Sequence, residues 1–120
     1  MRILLADDDA ALREMFQDFI HMLGYQVTTA VDGQNALELI IDENRQFDLL
    51  ISDVIMPRIG GIELVEVIRS KDANLPIILM SGYSQQNMES SSSHLNTIFL
   101  EKPIDLQHLE LILRKIKTAL

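Results

Sequence analysis

Apolar positions along the chain follow two alternating patterns. Short unbroken runs, Ile3 to Ala6, Leu49 to Ile51, Ile77 to Met80 and Ile98 to Leu100, read as strands covered on both faces. Tyr25 to Ala30, rich in β-branched residues, reads as another strand. Between the runs, apolar residues recur at helical spacing. Leu12, Met15, Phe16, Phe19, Ile20 and Leu23 share one face of a helix that Asp9 can cap and Gly24 can end. After the Asp32-Gly33 turn signal, Ala36, Leu37, Ile40 and Ile41 predict a shorter helix. Leu64, Val65 and Ile68 predict a third, after Met56-Pro57 and Gly60-Gly61. Leu106, Leu109, Ile112, Leu113 and Ile116 predict a last helix, capped by Asp105. Residues 84–97 need a helix to complete the alternation, yet their apolar positions are few and Ser90 to Ser93 are poor helix formers. A short, loosely held helix or a mobile loop is expected there.

A strand–helix alternation of this kind implies a parallel sheet with helices on both faces. The 120 residues suit one domain over 1–120, without repeats or linkers, and a 48% hydrophobic content suffices for an aliphatic core. Ligands of such sheets bind beyond the C-terminal ends of the strands. The first strand runs into Asp7-Asp8-Asp9 and the third into Asp53. The fourth runs into Ser81-Gly82 and the fifth into Glu101-Lys102-Pro103. Taken singly, these residues have duller explanations as helix caps, turns or solvated charges. Together they bring carboxylates, a hydroxyl and an ammonium to one edge.

Two carboxylates about 5 Å apart repel by about 3 kcal/mol at an effective dielectric near 20. A hard divalent cation relieves that repulsion, and Mg²⁺ takes carboxylates, a carbonyl and retained waters. No Cys is present and no His lies near these strand ends, which argues against zinc. With such a metal, one carboxylate can attack a phosphoryl group while Lys102 neutralises charge and Ser81 donates a hydrogen bond.

Charge and composition narrow the partners. Eighteen acidic residues against ten Lys and Arg give a net charge of -8 and no basic patch for nucleic acid. The four-residue apolar run before Asp7 is too short for a signal peptide or a membrane span, and the absence of Cys fits a reducing compartment. A cytoplasmic location without membrane insertion is expected.

The segments ILLADDD, DLLISDVIMPRIGG, ILMSG and FLEKPI, in this order and at these intervals, resemble the receiver domain of two-component response regulators across essentially the whole chain. The resemblance implies a flavodoxin-like (βα)5 three-layer sandwich with a five-stranded parallel sheet of order 2-1-3-4-5. It implies a phosphorelay switch that catalyses only its own aspartyl phosphorylation and dephosphorylation. A sensor histidine kinase or histidine phosphotransfer protein would donate the phosphoryl group from a phosphohistidine. Asp53 would be the phosphoacceptor. Asp8 and Asp53 would bind Mg²⁺ through carboxylates and Ile55 through its backbone carbonyl, with Asp7 helping through a metal-bound water. Lys102 would contact the phosphoryl group, Ser81 would be the switch hydroxyl, and Pro103 would follow a cis peptide bond. Phe99 stands at the aromatic switch position, where tyrosine is common in the family. A downstream protein would read the face formed by the fourth helix, fifth strand and fifth helix. The wording MSGYS and FLEKP is similar to receivers attached to hybrid histidine kinases.

Ile55 and Tyr83, two residues beyond Asp53 and Ser81, are bulky and offer no acid or amide to orient water, so slow dephosphorylation is expected. Two other classes of function compete. A haloacid-dehalogenase-like phosphatase uses Asp-x-Asp after the first strand, a spacing matched by Asp7 and Asp9, but Ala11 stands where Thr is expected and little room remains for a cap. A phosphate-independent interaction module would not need the acidic set.

Overall fold

A computed structural model describes residues 1–42, 44–82 and 96–120. Five strands, β1 (Arg2–Ala6), β2 (Gln26–Ala30), β3 (Leu49–Asp53), β4 (Ile77–Ser81) and β5 (Thr97–Glu101), form one sheet. Its order is β2-β1-β3-β4-β5, and every pairing is parallel. The described residues hold four helices, α1 (Ala10–Met22), α2 (Gly33–Ile41), α3 (Gly61–Arg69) and α4 (Leu106–Ala119), the last in the chain. This is the flavodoxin-like architecture and strand order implied by the sequence. The helix expected within 84–97 and the side chain of Tyr83 lie outside the described residues.

The pleat sorts the core into two layers, because successive strand residues face opposite sides. Ile3, Leu5, Ile51, Ile78, Met80 and Leu100 face Phe16 and Ile20 of α1 and Leu109, Ile112 and Leu113 of α4. Leu4, Ala6, Leu50, Ile77 and Leu79 face Ala36 of α2 and Leu64, Val65 and Ile68 of α3. Burying both faces explains why β1, β3 and β4 are apolar almost throughout.

Caps and turns follow the local chemistry. Asp9 accepts from the N–H groups of Ala11 and Leu12, and Asp105 from those of Gln107 and His108. Gly24 ends α1 at a φ of +96°, a left-handed conformation that costs glycine little. Two expectations need correction. Asp32-Gly33 is more than a turn, since Asp32 caps α2 and Gly33 is its first residue. Met15, expected on the buried face of α1, is 42% exposed. Its position on the rim of the helical stripe leaves it beside Pro103 and Ile104 instead of under the sheet.

Gly61 opens α3 directly against β3, and a Cβ there would stand 2.4 Å from the Asp53 carbonyl oxygen. That close approach sets α3 against the end of the strand that carries Asp53. Gly61→Ala should therefore lower stability by about 1–3 kcal/mol through overpacking, read as a reduced urea midpoint. An unchanged midpoint would show that the contact yields freely.

Candidate functional site

Strand register brings the site together. Ala6 lies opposite Ser52, so Asp7 and Asp53 follow at the same level on adjacent strands. Asp53 lies opposite Met80, and Ser81 opposite Glu101. Asp7, Asp53, Ser81 and Lys102 thus emerge at one sheet edge without help from any long loop. Carboxylate oxygens of Asp7, Asp8 and Asp53 lie within 4.8 Å of one another, a grouping able to hold a metal ion. Asp7 and Asp53 are buried, while Asp8 is exposed and leaves the cluster open to solvent.

Each member is fixed differently. The Asp7 N–H donates to the Ala30 carbonyl at 3.2 Å, and Arg13 donates to the Asp7 carbonyl at 2.7 Å. Asp7 Oδ1 accepts from the Asp9 N–H at 2.9 Å. Asp7 Oδ2 is buried, and no donor among the described residues reaches it. Burial pushes the Asp7 carboxyl above its ordinary pKa, opposed by the Asp9 N–H; nearby Asp53 adds to the rise, Lys102 reduces it and Asp8 adds again. An orphaned, buried oxygen on a carboxylate grouped with two others fits a hard cation, which would replace the missing donors.

Lys102 is held at both ends. Its N–H donates to the Ser81 carbonyl at 2.7 Å, and its ammonium pairs with Asp53 Oδ2 at 2.7 Å. The Lys102–Pro103 peptide bond is cis. Ser81 is buried at the end of β4 and, with Ile55, lines the same cleft as Asp8, Asp53 and Lys102. Ile55 is 59% exposed on the rim, and its N–H reaches Asp53 Oδ1 at 3.4 Å. Phe99 is half-buried on β5, opposite Leu79, against the core layer of α2 and α3.

Asp9 stays outside the carboxylate trio. It lines the same cleft, but its Oδ1 is taken up by the α1 cap, which favours Asp8 over Asp9 as the partner of Asp7. One element had no signal in the sequence. Arg58, at a φ of +69°, donates through Nε to Asp32 Oδ2 at 3.0 Å and through Nη2 to the same oxygen. Asp32 and Arg58 are 26 residues apart, a separation no local pattern encodes. The Asn35 N–H, and after it the Arg58 guanidinium, holds the Asp32 carboxyl below its ordinary pKa.

Among the described residues no helix is long and apolar enough to cross a membrane. The response regulator receiver domain model matches residues 3–114. The two-component response regulator ARR10 of Arabidopsis thaliana is 34% identical over 111 residues, covering 92% of this chain. The chain spans only 20% of that relative's length. The response regulator TrrA of Thermotoga maritima, solved in complex with Mg²⁺ and BeF, superposes with a TM-score of 0.84 at 31% identity, covering 96% of this chain and 97% of that one. The receiver domain of the hybrid histidine kinase CckA gives 0.77 at 36% identity, covering 97% and 98%. With a carboxylate trio of which Asp7 and Asp53 are buried, a lysine paired with Asp53 and a family match over nearly all its length, the chain belongs to the response regulator receiver domains of two-component systems.

Proposed function

We propose that this domain is a phosphorylation switch in which Asp53 takes a phosphoryl group from a phosphohistidine on a sensor kinase or phosphotransfer protein. The observation that carries the proposal is the pairing of Lys102 with Asp53 at 2.7 Å inside the trio of carboxylates. The carboxylates of Asp7, Asp8 and Asp53 and the backbone carbonyl of Ile55 would hold Mg²⁺. When bound, the ion offsets the carboxylate repulsion and the negative charge on the transferring oxygens.

The chain's own groups supply the rest. An Asp53 carboxylate oxygen forms the new O–P bond as the N–P bond of the donor breaks. The electron pair of that bond leaves with the imidazole, which ends neutral or takes a proton from solvent. Lys102 is already on Asp53 and stays within reach of the phosphoryl oxygens as the charge moves outward. The Ser81 hydroxyl, at the end of the neighbouring strand, would turn toward the phosphoryl group. Phe99, on the adjacent strand, would repack in response and change the surface presented to a downstream protein. The domain acts in this reading on its own aspartate and turns over no separate substrate.

Acetyl phosphate with Mg²⁺ should add one phosphoryl group to the protein by intact mass, and none to Asp53→Ala. Equal labelling of the variant would relocate the acceptor, and no labelling of either would remove the switch reading.

The buried Asp7 generates a stability prediction. A carboxyl whose folded-state pKa is raised favours folding when protonated, so its contribution is full below the unfolded value of about 3.8 and is lost as pH rises through the folded value. At neutral pH without metal, the Asp7 charge therefore opposes folding. Asp7→Asn should raise the melting temperature of the metal-free protein at neutral pH, by about 4–6 °C per kcal/mol relieved. It should also weaken the stabilisation that Mg²⁺ gives the wild type. A lower melting temperature for Asp7→Asn under metal-free conditions would contradict this.

A further inference from the structure

The loop between β3 and α3, residues 54–60, carries Ile55 and has few bonds of its own. Its ends are anchored: the Val54 N–H donates to the Met80 carbonyl at 3.0 Å, and the Gly61 N–H closes onto the Val54 carbonyl at 2.7 Å. Between those anchors, among the described residues, the backbone is tied by the Ile59 N–H to the Pro57 carbonyl at 2.9 Å, by the Gly60 carbonyl to the Leu64 N–H at 2.9 Å where α3 begins, and by the long Ile55 contact to Asp53. Met56 is buried, but Ile55, Pro57 and Arg58 are exposed. Met56 and Ile59 root the loop in the core layer of α2 and α3, so the exposed residues between and beside them depend on contacts from outside for a fixed position.

The start of α2 supplies such contacts at two points. Asp32 is buried and divides its carboxylate between two tasks. Oδ1 caps the helix through the Asn35 N–H at 2.8 Å, and Oδ2 receives the Arg58 guanidinium. Asn35 returns the bond by accepting from the Val31 N–H at 3.0 Å, which keeps Asp32 from swinging away. Gly33 lies directly on the loop, where a Cβ would stand 1.8 Å from the Ile59 carbonyl oxygen. Arg58 itself sits at a φ of +69°, a conformation that non-glycine residues adopt at a cost and keep only when their surroundings demand it. The strand end that leads to Asp32 also receives the Asp7 N–H on the Ala30 carbonyl. The same corner therefore braces both Asp7 and the loop that follows Asp53.

We propose that Asp32 and Arg58 are a positioning pair that clamps the 54–60 loop to the start of α2 and so holds the Ile55 carbonyl in place for a divalent cation at the acidic cluster. The inference rests on the reading of that cluster as a Mg²⁺ site. Neither residue touches the cluster; both act through the loop. Supporting groups of this kind typically alter metal affinity about 10–100-fold when removed.

Two variants separate positioning from simple stability. Arg58→Gly removes the guanidinium from the buried Asp32 carboxylate, which costs stability, and relieves the left-handed backbone, which restores some, so the two effects on metal-free stability oppose each other. Asp32→Asn keeps a good helix cap and removes the charge. Both should weaken Mg²⁺ binding about tenfold by titration calorimetry. In both metal-free variants, amide exchange at Ile55 and at position 58 should quicken, while the melting temperature of Arg58→Gly stays close to that of wild type. Arg58→Gly binding Mg²⁺ within about twofold of wild type would overturn the clamp, as would an affinity loss that only follows a fall in melting temperature. A wild type that binds no Mg²⁺ would instead overturn the functional reading itself, before the clamp is tested.

Discussion

The crowding of Asp7, Asp8 and Asp53 at one sheet edge, relieved on one side by Lys102, is the constraint around which this domain is arranged. Two buried carboxylates and a third at the surface repel one another in a partly desolvated setting. Lys102 compensates Asp53 but leaves Asp7 Oδ2 with no donor among the described residues. The protein carries an unbalanced charge where a cation and a phosphoryl group could both be useful.

The fold keeps that arrangement from relaxing. Parallel register sets Asp7 and Asp53 at the same level, and the two apolar layers hold β1, β3 and β4 so that neither strand can slip. A shift of one residue would exchange the layers, turning Leu4 and Leu50 toward α1 and α4. Gly61 brings α3 close against the Asp53 carbonyl, and Asp32 with Arg58 draws the following loop toward α2. The cost of assembling like charges is thus borne by a core whose packing leaves few alternatives.

Much of this was legible in the sequence. Unbroken apolar runs marked buried parallel strands, and residues immediately after such runs necessarily meet at one edge, so the convergence of Asp7, Asp8, Asp53, Ser81 and Lys102 could be read before any coordinates. Other features were not legible, for physical reasons. The exposure of Met15 depends on where the rim of the α1 stripe meets Pro103 and Ile104, a tertiary outcome. Asp32-Gly33 carries the same letters whether it forms a turn or a capped helix start resting on Ile59. The partnership of Asp32 with Arg58, and that of Arg13 with the Asp7 carbonyl, arise from side chains that reach across the fold with no periodicity to announce them.

The central claim is that the acidic edge becomes a phosphoryl site only with a divalent cation in it. Fluorine NMR of the protein with beryllofluoride, a phosphoryl mimic, tests this most directly. Protein-bound fluoride resonances are predicted with Mg²⁺ and not without it. Bound resonances of equal intensity in the absence of Mg²⁺, or none in its presence, would contradict the account.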